Sequence, residues 1–199
     1  GKEIVPQICK GIWADAIFAW DLLNANSLAL NMLDMKISGE VEEGVSIKGP
    51  VEVGEGSIIR SGSYLVGPIS IGEDCDIGPG AVILPTTSIG DSSKIGPHAE
   101  IRNSIIMSDA RIGSAAIVSD CVVGASTILS DQLAVESGPC VVEVEEAFER
   151  AEFGAIFADD VTVGARAFAG AGTVVGTGAR IGSGSRIRGE IERESRVVC

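Results

Sequence analysis

Ile71-Gly72-Glu73-Asp74-Cys75-Asp76-Ile77-Gly78-Pro79-Gly80-Ala81-Val82-Ile83 places a large aliphatic residue at every sixth position. The same spacing runs outward in both directions, through Ile47, Val53, Ile59 and Leu65 on one side and Ile89, Ile95, Ile101 and Met107 on the other. Four positions after most of these stands a small or β-branched residue, such as Ser57, Ser63, Ile69, Cys75, Ala81, Ser93 or Ala99. A period of six fits neither the 3.6 of an α-helix nor the alternation of a half-solvated strand. It fits a chain that turns a corner every six residues and points one large side chain inward per face, which is the signature of a parallel β-helix.

Three hexapeptides make one triangular coil, so residues eighteen apart are expected to stack. The predicted ladders are Val53, Ile71, Ile89 and Met107; Ile47, Leu65, Ile83 and Ile101; and Ile59, Ile77 and Ile95. After Met107 the strong positions become Ile112, Val118, Val123 and Leu129, with two five-residue steps. The six-residue pattern returns at Phe157, Val163, Ala169, Val175, Ile181 and Ile187. Between the blocks, residues 130–154 are expected to leave the solenoid. They carry Glu143, Glu145, Glu146, Glu149 and Glu152, which suits either a binding face or a solvated acidic loop. The solenoid is expected from about Val41 to Ile191.

The chain of 199 residues is long enough for one domain and an appendage. Its 26 glycines and 4% aromatic content suit an aliphatic solenoid. Cys9, Cys75, Cys121, Cys140 and Cys199 show no CxxC pairing, which argues for a reducing compartment and against a disulfide framework or a zinc site. No apolar run reaches the roughly 20 residues of a membrane span, and no charged-then-apolar leader opens the chain. A soluble, cytoplasmic protein is expected. A net charge of −13 argues against nucleic acid. The charge is uneven: residues 1–162 hold 9 basic and 25 acidic side chains, whereas residues 163–199 hold six arginines against three glutamates. Arginine suits phosphate recognition, and it equally suits capping the end of a solenoid.

Residues 12–33 differ in kind. They include Trp13, Phe18, Trp20, Leu22, Leu23, Leu28, Leu30 and Leu33. A helix is predicted over about 20–33, with Phe18, Leu22, Ala29 and Leu33 on one face and Asp21 at the positive end of its dipole. Such a helix must pack on something.

Gly11-Ile12-Trp13-Ala14-Asp15, followed by Trp20-Asp21-Leu22-Leu23-Asn24-Ala25-Asn26, resembles the end of the nucleotidylyltransferase domain in archaeal sugar-1-phosphate nucleotidylyltransferases. That family includes glucose-1-phosphate thymidylyltransferase-like proteins and the bifunctional N-acetylglucosamine-1-phosphate uridylyltransferase/glucosamine-1-phosphate acetyltransferases. Ile95-Gly96-Pro97-His98-Ala99-Glu100-Ile101-Arg102-Asn103-Ser104 is similar to the family's solenoid. The resemblance implies an all-β, left-handed parallel β-helix with an N-terminal α-helix. It divides the chain into 1–36, the end of the nucleotidylyltransferase domain and linker helix, and 37–199, the β-helix. The family's glycine-rich nucleotide loop is absent, so the chain is read as the C-terminal part of a longer enzyme. Asp15 stands where the family places a metal-binding aspartate, and Mg2+ would belong only to the missing domain.

The resemblance also supplies an acyl-transfer reading. Acetyl transfer from coenzyme A needs a base and a donor for the oxyanion. The family's catalytic histidine aligns with Ser114, and its tyrosine with Ile117. Serine cannot replace imidazole as a base. His98 is the only histidine and a weak substitute: a lone corner histidine without an orienting partner. One histidine also excludes a three-histidine zinc site of the β-helix carbonic anhydrase type. Ala165, Ser183, Arg186 and Arg188 match coils that bind acetyl-CoA in the family, with arginines suited to the nucleotide phosphates. Two readings stay open. One is a homotrimeric structural or regulatory module of a nucleotidylyltransferase. The other is an acetyl-CoA-dependent sugar acyltransferase with an altered catalytic set, taking glucosamine-1-phosphate-type substrates.

Overall fold

The structure is a computed structural model and describes residues 13–144 and 147–198. Strands of two or three residues stack into three parallel faces of nine, nine and eight strands. Face A contains Val51–Val53, Ile69–Ile71 and Thr87–Ile89; face B contains Ile58–Ile59, Asp76–Ile77 and Lys94–Ile95; face C contains Tyr64–Val66, Val82–Ile83 and Glu100–Arg102. The chain visits A, B and C in turn, so each strand pairs with the third one along. The solenoid is a left-handed β-helix preceded by one helix. Its strands run from Lys36–Ile37 to Arg196–Val197, beyond both expected ends.

The ladders form as the spacing requires. Val53 pairs with Ile71 and Ile71 with Ile89; Ile47, Leu65, Ile83 and Ile101 pair in sequence; so do Ile59, Ile77 and Ile95. All these from Val53 onward are buried in one continuous core. Corner residues seal it. Ser57 Oγ donates to the carbonyl of Gly72 at 2.7 Å and accepts from the Cys75 amide at 2.8 Å, so a buried hydroxyl bridges two coils with its hydrogen bonds made.

Met107 is not in the first ladder; Ile106 is, paired with Ile89. The first five-residue step is Ile101 to Ile106, one step earlier than expected, and the second is Val118 to Val123. Losing one residue at a corner flips the alternation, so Met107 turns outward and joins a second cluster. Both short steps lie at the corner between faces C and A. The excursion leaves from that same corner. It is shorter than 130–154, because Ala134–Val135 is still a face C strand and Leu133 is buried. The departing segment is an antiparallel hairpin of Gly138–Val144 and Ala147–Phe153.

Helix α1 spans Asp21–Leu30. It buries Leu23 and Leu30, whereas Ala29 is exposed, so the face turned to the solenoid is not the one expected. The cause is polar. Asn26 Nδ2 donates to the Thr86 carbonyl at 3.0 Å and its Oδ1 accepts from Ser88 Oγ at 2.6 Å, which fixes the helix rotation on face A. Asp21 Oδ2 accepts the amides of Ile17 and Phe18, both at 2.9 Å, and closes the turn before the helix. The outward side chains of face A run Ile105, Val122, Ile156 and Val174. The helix and the hairpin cover them together: Leu23, Val142, Phe153 and Ile156 form a second core with Trp20.

Hydrogen bonds link the two appendages along the C–A corner. Thr86 Oγ1 donates to Asn103 Oδ1 at 2.7 Å, Asn103 Nδ2 donates to Asp120 Oδ1 at 2.6 Å, and Ser137 Oγ at the hairpin base donates to Asp120 Oδ2. Thr86, Asn103 and Asp120 all have positive φ. For β-branched Thr86 this is an outlier that its neighbours must hold.

Candidate functional site

The candidate residues occupy two places on face C and its edges. The first is the corner between faces B and C. Backbone amides ladder down it: His98 N donates to Pro79 O, Ala115 N to Pro97 O, Gln132 N to Ser114 O, Arg166 N to Asp131 O and Gly184 N to Ala165 O. Ser114, Asp131, Ala165 and Ser183 therefore form one column. At about 4.8 Å per coil, Ser114 lies roughly 14 Å from Ser183. His98 is one coil before Ser114, exposed, with φ of 56° where the preceding coil has Gly80. Its ring lies over Gly80, where an added Cβ would stand 2.5 Å from Nδ1. No side-chain hydrogen bond orients the imidazole among the described residues. The Ser114 amide donates to Asp131 Oδ1 at 2.7 Å. Ile117 faces outward on face C, 44% exposed, between Glu100 and Ala134.

The second place is the last coil of face C near the hairpin base. Arg186, Arg188, Glu136 and Phe168 surround a cavity of about 280 Å³. The Arg186 guanidinium lies 4.8 Å from the Phe168 ring centroid, a cation–π contact. The Arg188 side chain crosses Gly170. The structure thus joins Arg186 and Arg188, and sets Ala165 and Ser183 apart at the opposite edge of the face. Two arginines beside a cavity suit the phosphates of a coenzyme A-type ligand. Asp15 is exposed, and among the described residues no three metal-ligating side chains converge. The described residues do not make a Mg2+ site.

Sequence reasoning missed a groove of about 520 Å³ on face B, lined by Arg60, Lys94, Arg111, Ser114 and Asp131. Its signal was there: outward residues recur one coil apart, and Asp76, Lys94 and Arg111 are successive neighbours. Arg60 Nε bonds Asp76 Oδ1 at 2.9 Å and Nη2 bonds Oδ2 at 3.0 Å, a bidentate pair. That hydrogen bond holds the Asp76 carboxyl below the usual carboxylate range.

The described residues contain no helix long and apolar enough to cross a membrane. A family profile for the GMPPB C-terminal domain matches residues 65–170. Among curated proteins, the chain is 44% identical over 54 residues to the bifunctional protein GlmU of Methanococcus maripaludis strain S2. That match covers 27% of this chain and 13% of the relative. It is 43% identical over 49 residues to the GlmU of Methanocaldococcus jannaschii, covering 25% and 12%. Among solved structures, it is similar to the polySia-specific acetyltransferase NeuO (TM-score 0.47, 16% identity, 82% of this chain and 80% of that one). It is also similar to the UDP-N-acetylglucosamine O-acyltransferase LpxA of Moraxella catarrhalis (TM-score 0.41, 20% identity, 82% and 67%).

Proposed function

The chain belongs to the GMPPB C-terminal domain family, and on that premise we propose that it is the trimerising C-terminal module of a sugar-1-phosphate nucleotidylyltransferase, with a structural or regulatory role. One observation carries this reading. The segment that enters the solenoid is locked in orientation: Asn26 bonds both Thr86 and Ser88, and Trp20 stacks on Phe153. A helix fixed to face A at Asn26 and to the hairpin through Trp20 holds whatever precedes it in a set direction, as a module that seats a catalytic domain must. Residues 1–36 then belong to the linker and the preceding domain, and any Mg2+ chemistry belongs to that domain, which Asp15 would join there. We place the protein in the cytoplasm, where nucleotide sugars are made.

A second reading rests on the cavity at Arg186 and Arg188: the module retains an acetyl-CoA site, with Ala165 and Ser183 along the same two coils, and acylates an amino-sugar phosphate. The corner chemistry weighs against turnover. Ser114 cannot act as base, and exposed His98 has no orienting partner among the described residues. Losing a general base costs about 10²–10⁴-fold in rate. A thiol-release assay with acetyl-CoA and glucosamine-1-phosphate separates the readings. No release above background is expected. Release at ordinary enzyme rates, abolished by His98→Ala, would replace the structural reading with the acyltransferase one.

A further inference from the structure

Thr86, Asn103 and Asp120 follow one another one coil apart at the C–A corner, where Asn103 N donates to Pro85 O and Asp120 N to Arg102 O. All three are half-buried. The direction of the hydrogen bonds that join their side chains is fixed. A carboxylate only accepts, so Asp120 Oδ1, 2.6 Å from Asn103 Nδ2, turns the donor end of that amide toward itself. Asn103 Oδ1 must then face Thr86. The single proton of the Thr86 hydroxyl is drawn to it at 2.7 Å, although the Pro85 carbonyl stands 2.6 Å away. Thr86 presents its own carbonyl to Asn26 of helix α1 at 3.0 Å. At the other end Ser137, the residue before the hairpin, donates to Asp120 Oδ2.

Asp120 has a second partner in reach. Arg102 Nη2 lies 3.9 Å from the same Oδ2, beyond the roughly 2.7–2.9 Å of a charge-assisted hydrogen bond. The Asp120 side chain therefore has two discrete arrangements. In one it bridges Asn103 and Ser137, as in this structure. In the other it turns onto the exposed Arg102, which it can do once Ser137 no longer holds Oδ2.

We propose that this column is a conformational coupling between the hairpin and helix α1, with Asp120 as its two-state element. The hairpin base holds Asp120 in the bridging arrangement, and Asp120 holds the helix through Asn103 and Thr86. Lifting the hairpin takes Ser137 away and lets Asp120 turn onto Arg102. The Asn103 bond breaks, the Thr86 proton is free to move to Pro85, and the seat of Asn26 loosens. The helix and the segment before it are released together with the hairpin, as one locally opening unit. Two sites are coupled through a network when both bias the same two-state element, and hydrogen bonds in such a row strengthen one another. The Trp20–Phe153 stack joins the same two appendages at the start of the helix, so a decisive variant cuts the column and spares the stack.

Asn103→Gly in the full chain is that variant. Among the described residues the Asn103 side chain bonds neither the helix nor the hairpin, and glycine keeps its φ of 43° without steric cost. Hydrogen exchange read by mass spectrometry is expected to speed at least about tenfold in Asp21–Leu30 and in both hairpin strands, since a hydrogen bond to a charged group carries at least that factor. The strands of face B are expected to exchange as before. Thr86→Gly, which cuts the next joint, is expected to act alike. Relief of its φ of 61° alone would slow exchange, so a rise is not a backbone effect. Ser137→Ala is expected to speed the helix along with the hairpin, and to add nothing to the helix once Asn103→Gly is present. Unchanged helix exchange in Asn103→Gly and Thr86→Gly overturns the coupling. So does an equal effect of Ser137→Ala on the helix with and without Asn103, which would route the signal through Trp20 and Phe153. Faster exchange on face B as well would mean that the solenoid itself has loosened, and overturns it too.

Discussion

The indole of Trp20 stacks on the ring of Phe153, with centroids 5.1 Å apart and planes 10° from parallel. The first residue precedes helix α1 and the second closes the hairpin, so the two appendages of the solenoid meet in one contact. Phe153 has no exposed surface. Phe153→Ala removes the stack and leaves a cavity, and a loss of about 3–5 kcal/mol in urea unfolding is expected. A loss below about 1 kcal/mol would mean that the helix and the hairpin are held independently.

Thr87 Oγ1 is buried and has no hydrogen-bond partner among the described residues. Its ladder neighbours in the preceding coils are Ile69 and Val51, so a valine fits the site by shape. An unpaired buried hydroxyl costs about 1–3 kcal/mol. Thr87→Val is therefore expected to raise stability by about 1 kcal/mol or more, read from the denaturation midpoint at unchanged slope.

Burial pushes the Cys121 thiol up to about 12, and raises those of Cys75 and Cys140 in the same direction. The thiolate is the reactive form. Among Cys75, Cys121 and Cys140, alkylation of the native protein at pH 8, followed by mass spectrometry, is expected to modify half-buried Cys140 first and to leave Cys121 untouched until unfolding. The sign for stability follows from the raised values. The unfolded thiols ionise first, so the contribution is intact below about pH 8.5 and declines as pH rises above it.

The solenoid was legible because its core obeys a strict period. Each inward isoleucine from Ile47 to Ile101 stacks where an eighteen-residue coil puts it. Met107 was misplaced because two registers are available once a corner shortens, and only strand pairing chooses Ile106. The rotation of α1 was not legible because a side-chain amide, Asn26, sets it against an apolar pattern too weak to decide. The candidate residues divided for a similar reason. Arg186 stands on the last face C strand and Arg188 just after it, and both fall at one cavity, beside Glu136 and Phe168, which only coil stacking brings in. Ala165 and Ser183 share a corner column with Ser114, which a linear motif does not display. The basic row of face B escaped notice because its members are a whole coil apart.

Assembly is the property on which the structural reading stands, and the mass of the 199-residue chain in solution measures it directly. Light scattering across micromolar concentrations is predicted to give three times the chain mass of 20.4 kDa. A constant mass of 20.4 kDa over that range would contradict it.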